Sequence, residues 1–177
     1  MDTTSPIMTP NPLVDLCVRT VCGNAFWMPQ LMATTALLLT LLAPELAAAQ
    51  DRRSEQAIKH RRAAFTLMAT YTNRLVQMAE GGRPYDAAQA LNDAKVLESI
   101  SRLPWEGFLP GSDKGDTRAR DDIWLEDERF QQQARTLQGS ATALAKAAET
   151  MDVAQLRAAL VSLRDACNAC HKAFRKD

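Results

Sequence analysis

The residues best suited to chemistry lie near the end of the chain, in the run Cys167-Asn168-Ala169-Cys170-His171. This C-x-x-C-H spacing is the attachment pattern of a c-type haem. On a helix, Cys167 and Cys170 project from nearly the same face, so both thiols can form thioethers along one edge of a porphyrin. His171 follows one turn after Cys167, where its imidazole can bind the iron. The run therefore predicts one haem c per chain, attached through Cys167 and Cys170, with His171 as the metal ligand.

Two other sites use a C-x-x-C pair. A thioredoxin-like redox pair lies where a strand of a βαβ unit meets a helix, and no strand pattern surrounds Cys167 in this sequence. A structural zinc site needs four ligands, whereas the chain beyond residue 49 has two cysteines and two histidines, and His60 is far from the pair. Haem attachment is the interpretation that the spacing favours.

The composition limits the fold class and the kinds of partner that the chain can have. The chain has 177 residues, of which 46% are hydrophobic, 24% charged and 6% aromatic. This size and the abundance of alanine indicate one helical domain. The formal net charge is zero, which argues against nucleic-acid binding and favours a small molecule or a protein as partner.

The first 49 residues resemble an export signal. An apolar run from Leu31 to Ala43 leads to Ala47-Ala48-Ala49, a small-residue cleavage site. We expect residues 1–49 to be removed, which also removes Cys17 and Cys22, and residues 50–177 to form the mature domain in the periplasm. Export suits a c-type haem, because its attachment is completed outside the bacterial cytoplasm.

The segment before the apolar run fits this prediction less well. It carries only one basic residue, Arg19, against Asp2 and Asp15, where an excess of positive charge is typical. A later start of translation, for instance at Met28, is the alternative for this segment. An uncleaved membrane anchor is the structural alternative, although the apolar run is shorter than the roughly 20 residues that a span needs.

Apolar residues at helical spacing predict four helices: 54–80, one from Asp86 to before Pro104, 122–149, and one that opens at Asp152. Two short connections and one long loop predict an all-α, antiparallel four-helix bundle. We expect Trp105, Phe108 and Trp124 to pack the loop against the bundle rather than to contact a ligand. Both thiols belong to the apolar row of the last helix, so the haem is expected in the bundle interior. That row comprises Val153, Leu156, Leu160, Leu163, Cys167, Cys170 and Phe174.

Beyond the C-x-x-C-H motif, the whole chain after residue 50 resembles the class II c-type cytochromes, specifically the cytochrome c′ family. The placement of the motif at the end of the last helix is much more selective than the motif alone. The resemblance also covers the first-helix run 58–68, Pro84 to Ala88, Leu103-Pro104-Trp105, Pro110-Gly111, Ile123-Trp124 and Phe174-Arg175.

The resemblance assigns roles to three further residues. Phe65 matches the position that covers the haem face opposite the histidine, where low-spin relatives carry a methionine that binds iron. Arg61 lies in an apolar stripe, so its burial requires an anionic partner, and a haem propionate is the expected one. Arg175 matches the residue that covers the histidine side of the haem. A solvated helix-end residue is the competing interpretation of Arg175.

These assignments imply a periplasmic protein with five-coordinate, high-spin haem iron that binds nitric oxide or carbon monoxide and exchanges single electrons with an unknown redox protein. The alternative is a six-coordinate, low-spin electron carrier with Met68 as the second ligand, because a thioether can bind haem iron. We expect no enzymatic turnover, since the residues beside Phe65 offer no acid–base group. The resemblance implies a homodimer, and His60 is expected to be exposed and not to bind the metal.

Overall fold

The computed structural model describes the backbone of residues 28–176 and the side chains of residues 48–176. Within the described residues, one compact unit begins at Gln50, and residues 28–49 belong to a separate unit. The unit thus begins at the residue that follows the predicted cleavage site, while the cleavage itself stays a prediction. Cys17, Cys22 and Arg19 lie outside the described residues. Among the described helices, none has the length and apolar character needed to cross a bilayer.

Five α-helices make up the described chain, with one 3₁₀ turn at Pro104–Gly107. No strand occurs within residues 28–176, so the prediction of an all-α fold is confirmed. Four long helices form the bundle, and α3 is a single turn between them. The helices are α1 (Met28–Ala79), α2 (Ala87–Ile100), α3 (Asp122–Leu125), α4 (Asp127–Glu149) and α5 (Val153–Phe174).

The helix ends follow from local chemistry. Gly81 adopts a left-handed φ of 84° just after α1, a conformation that glycine tolerates without strain. Asp86 caps α2 by accepting a hydrogen bond from the Gln89 backbone N–H at 3.0 Å. Asp152 caps α5 in the same way, with the Ala154 N–H at 2.8 Å. The prediction that helices open at Asp86 and Asp152 is confirmed.

Two predicted helix boundaries were wrong. The first helix does not begin near residue 54, because α1 is already helical from Met28. The predicted helix 122–149 is interrupted at Glu126, whose φ and ψ of −114° and 43° separate α3 from α4. The short α3 turns Ile123 into the core and lets the Trp124 indole N–H donate to the Phe108 carbonyl at 3.2 Å. Glutamate is a good helix former, so its type did not reveal the interruption.

The buried side chains form two clusters. The larger cluster joins the four long helices and includes Leu75, Leu97, Leu144 and Leu163. The smaller cluster lies at the end of the bundle where α5 finishes, and consists of Ala119, Ile123, Phe130 and Phe174. Trp105, on the loop between α2 and α3, packs against both clusters.

The same loop approaches α1 most closely at Gly107. A Cβ atom at this position would lie 2.7 Å from the Ala57 carbonyl oxygen and 2.9 Å from the Arg61 Cβ. Only a residue without a side chain allows such an approach. The absence of a side chain at position 107 is therefore a condition for the loop to close over the first helix.

We predict that Gly107→Ala destabilises the protein by about 1–3 kcal/mol, because the added methyl group must displace backbone or helix atoms. Urea unfolding followed by circular dichroism measures the change. Gly139→Ala is the matched control: Gly139 lies in α4, and a methyl group added there would meet no neighbouring atom within 4 Å, so this change is expected to stabilise by up to about 1 kcal/mol. Equal midpoints for Gly107→Ala and the wild type would contradict the proposed close packing.

Candidate haem-binding site

A cavity of about 750 Å³ opens between α1 and α5 and is bounded by the loop that connects α2 to α3. This volume lies within the range of pockets that enclose organic cofactors, roughly 300–1,000 Å³. All six residues predicted from the sequence line the cavity. They are Arg61, Phe65, Cys167, Cys170, His171 and Arg175.

The two cysteines are free thiols, half-buried on the α5 side of the cavity. Cys167 packs against the larger core cluster and Cys170 against the smaller one. Burial raises the pKa of the Cys167 thiol, and burial together with the neighbouring Cys167 raises the pKa of Cys170 to about 11. Both groups are therefore protonated thiols at neutral pH, and they would supply the two sulfur atoms for covalent attachment of a haem.

His171 is in the last turn of α5, on the same side of the cavity. Desolvation lowers the pKa of its imidazole, and the positive charges of Arg175 and Arg118 lower it further. The Arg175 Nη1 atom lies 3.3 Å from His171 Nδ1. A neutral imidazole retains the lone pair that a metal ligand requires.

Phe65 contributes the facing wall from α1, together with two aromatic residues of the loop. Its ring meets Trp105 edge-to-face at 6.0 Å between centroids, and Phe108 at 6.3 Å. Phe108 in turn packs on Phe130 at 4.8 Å, and the Trp105 indole N–H donates to the Ser101 carbonyl at 2.7 Å. The prediction that Trp105 and Phe108 pack the loop against the bundle is confirmed, but both side chains also line the cavity.

Met68 also lines the cavity, one turn beyond Phe65. Its side chain is only 6% exposed and belongs to the larger core cluster. His60, in contrast, is exposed and is not part of the cavity wall; its Nε2 atom lies 2.8 Å from the Leu103 carbonyl oxygen and 3.1 Å from Glu106. Met68 thus remains the alternative to an open sixth position on the iron, whereas His60 contacts the loop between α2 and α3 and does not line the cavity.

Arg61 is buried, as expected, and the loop supplies hydrogen-bond partners that the sequence did not predict. Its guanidinium donates to the Gly107 carbonyl at 2.7 Å, the Ser112 hydroxyl at 2.7 Å, the Ser112 carbonyl at 2.6 Å and the Thr117 hydroxyl at 2.7 Å. It also lies 4.5 Å from the centre of the Phe108 ring. Neutral loop oxygens therefore satisfy both terminal nitrogens without an ion pair, and a haem propionate as a further partner of Arg61 stays a prediction. Burial lowers the Arg61 pKa to about 10, with Asp113 acting in the opposite direction, so the group stays charged at neutral pH.

Arg118 is a cavity residue that the sequence did not single out. It lies in the loop, where helical periodicity carries no information. Its Nε–H donates to the Lys176 carbonyl at 3.0 Å, and its own carbonyl accepts the Lys176 N–H at 2.7 Å. This pairing holds the chain after α5 beside the loop and places a second arginine near His171.

We predict that Arg61→Met destabilises the protein by at least about 1–3 kcal/mol, the usual cost of leaving a buried acceptor unpaired. Arg62→Met is the matched control, because Arg62 is its exposed neighbour and forms a solvent-accessible ion pair with Asp116. Losing that pair is expected to cost less than about 1 kcal/mol. Urea unfolding of both variants checks the difference, and equal costs would show that the loop does not depend on Arg61.

The residues present fit haem c. Two thiols at the attachment spacing and a neutral imidazole share one wall of the cavity, and aromatic side chains form the wall contributed by α1 and the loop. Exposed arginines at the cavity, including Arg118 and Arg175, offer charge for carboxylate groups such as haem propionates.

Comparison with known proteins gives the same result. The family model for cytochrome c′ matches residues 56–175. The cytochrome c′ of Alcaligenes xylosoxydans xylosoxydans is 40% identical over 127 residues, which cover 72% of this chain and 98% of that protein.

Two solved structures of variants of the Alcaligenes xylosoxidans cytochrome c′ also resemble it, one a nitric oxide complex and one with carbon monoxide bound. Each superposes with a TM-score of 0.67 at 40% identity and covers 70% of this chain, and 96% and 97% respectively of the solved chains. Similarity in sequence and backbone across nearly the whole compact unit confirms the resemblance: this chain belongs to the cytochrome c′ family, which carries covalent haem c.

Proposed function

We propose that this protein is a periplasmic gas-binding cytochrome with five-coordinate, high-spin haem iron that takes up nitric oxide or carbon monoxide and exchanges single electrons. The observation that carries the proposal is the aromatic part of the cavity wall, where Phe65 of α1 packs with Trp105 and Phe108 of the loop. When bound, the haem supplies an iron atom with an open coordination position and a one-electron redox couple.

The chain's own residues would hold the cofactor from one side. Cys167 and Cys170 would form the two thioethers, and His171 would be the axial ligand. The phenyl ring of Phe65 has no lone pair to donate, so its role would be to exclude water and to restrict access to small uncharged molecules. Relatives support this assignment, since two solved structures from the family contain nitric oxide and carbon monoxide.

The environment of His171 favours a weak axial ligand. In metal sites, the second ring nitrogen of a histidine usually donates to a carboxylate or a carbonyl, which increases the basicity of the ligand. Here the neighbour of Nδ1 is the Arg175 guanidinium, a donor. His171 therefore lacks that support from Arg175, which would leave the imidazole a weaker ligand for the iron.

Acid–base catalysis finds little support in this cavity. Asp116 is the single carboxylate among its described lining residues, and it is exposed and paired with Arg62. Peroxidase-type chemistry wants a proton-transferring group beside the iron. We therefore expect binding and electron exchange rather than turnover.

The alternative function is a low-spin electron carrier with Met68 as the second axial ligand. The location of Met68 in the cavity wall favours it, and the membership of Met68 in the core cluster disfavours it. Export through removal of residues 1–49 and assembly into a homodimer complete the proposal. The first rests on the sequence pattern and the second on the family resemblance.

Spectra of the reduced protein test the coordination state. We predict broad high-spin bands and rapid carbon monoxide binding for the wild type, and an unchanged spectrum for Met68→Leu. Phe65→Met places a thioether opposite His171, so it is expected to give sharp low-spin bands and to weaken carbon monoxide binding by about tenfold or more, equivalent to at least 1.4 kcal/mol. A low-spin wild type that becomes high-spin in Met68→Leu would establish the alternative.

Mass spectrometry of protein matured in a cytochrome c-producing host tests the attachment. We predict the mass of residues 50–177 plus one haem, to within a residue or so of the cleavage site. Cys167→Ser and Cys170→Ser should each keep haem through one thioether, whereas the double variant should lose it on acid–acetone extraction. Haem retained by the double variant would contradict the assignment of these two thiols.

A further inference from the structure

The cavity is strongly basic, although the whole chain has a formal net charge of zero. Six of its lining residues carry a formal charge, counting histidine as neutral, and five of these are arginines. Two propionates would neutralise only part of this excess. The charged lining residues are Arg61, Arg62, Arg118, Arg164, Arg175 and Asp116.

The excess continues onto the surface next to His171. A second depression shares His171 and Arg175 with the cavity and is otherwise lined by Arg120, Asp121, Lys172 and Lys176. We call the five cations on this side the basic patch, and all five side chains are exposed. The basic patch consists of Arg118, Arg120, Lys172, Arg175 and Lys176.

Backbone pairing makes the basic patch a defined surface. The Arg120 N–H donates to the Phe174 carbonyl at 3.0 Å, and the Lys176 N–H donates to the Arg118 carbonyl at 2.7 Å. The two segments that carry the five cations are therefore joined by hydrogen bonds. The pairing also explains why residues distant in the sequence gather on one side of His171.

The charge of the basic patch is largely uncompensated within the described residues. Arg120 forms an ion pair with Asp122 at 2.6 Å. Arg118 donates to a backbone carbonyl and Arg175 approaches the His171 ring, so neither is neutralised by these contacts. An approaching anion thus meets a positive field at the histidine edge of the cavity.

We propose that the basic patch is the docking surface for an acidic redox protein, an inference that rests on the proposed one-electron function. His171 lines both the cavity and the depression, so a partner seated there would lie against the residue proposed to bind the iron. Complementary charge mainly accelerates encounter and selects orientation. Because the cations are spread over two exposed segments, they match an extended acidic surface better than a single small anion.

Stopped-flow oxidation of the reduced holoprotein tests whether the basic patch attracts anions. Ferricyanide, an anion, should oxidise the protein faster at low salt and more slowly as the salt concentration is raised. The reason is that salt screens electrostatic attraction, with a Debye length of about 10 Å at 0.1 M. Tris(phenanthroline)cobalt(III), a cation, should show the opposite trend. The double variant Lys172→Glu/Lys176→Glu is expected to slow ferricyanide about tenfold at low salt, within the range of electrostatic steering.

The matched control is Lys59→Glu/Lys146→Glu, which changes the net charge equally at exposed lysines that line neither depression nor cavity. A comparable slowing in the control would show that net charge, not the basic patch, controls the rate, and would overturn the proposal. So would rates for both oxidants that do not depend on salt.

Poly-L-glutamate distinguishes an acidic polypeptide from a small anion. It should inhibit ferricyanide oxidation of the wild type and shift NMR resonances of residues 118–120 and 172–176, while poly-L-lysine should do neither. Salt-dependent ferricyanide rates without competition by poly-L-glutamate would indicate a small-anion site and overturn docking. Carbon monoxide binding is measured in parallel. If the protein fails to bind carbon monoxide but the basic patch still affects the oxidation rates, only the proposed function is contradicted. If carbon monoxide binds but the basic patch has no effect on the rates, only the docking surface is contradicted.

Discussion

The site depends on the geometry of the last turns of α5, where two thiols and an imidazole must face one cavity. The C-x-x-C-H spacing achieves this on any helix, but the tertiary structure adds a second constraint. Cys167 packs on the larger core cluster and Cys170 on the smaller one. A cofactor attached through both sulfur atoms would therefore link the two clusters, and attachment would be coupled to the packing of the whole bundle.

The opposite wall depends on a loop that has little regular structure of its own. Gly107 allows the loop to approach α1, and the Arg61 guanidinium then donates to loop oxygens from Gly107 to Thr117. Phe108 lies between this arginine and the aromatic residues Phe65 and Phe130. The apolar character of the cavity thus rests on a buried charge whose hydrogen bonds are satisfied by neutral groups, which avoids the larger cost of an unpaired ion.

Charge is distributed unevenly around this apolar wall. The aromatic residues face the interior, while exposed arginines and lysines gather near His171. Under the proposed function, such an arrangement would separate two tasks within one small domain. Steric exclusion by Phe65 and its neighbours would select small uncharged ligands, and the basic surface would select charged partners for electron exchange.

The sequence by itself was enough to identify haem c as the cofactor and to predict its attachment residues, because the spacing of Cys167, Cys170 and His171 is the same on any helix. Helical periodicity and the caps at Asp86 and Asp152 likewise predicted the bundle, since both depend on contacts within a few residues. The partners of Arg61, the interruption at Glu126 and the position of Arg118 were decided only by the tertiary structure. Each depends on contacts between distant segments, such as Arg61 with Ser112 or Arg118 with Lys176. A local sequence pattern does not indicate which distant oxygen atom will accept a hydrogen bond from a given side chain.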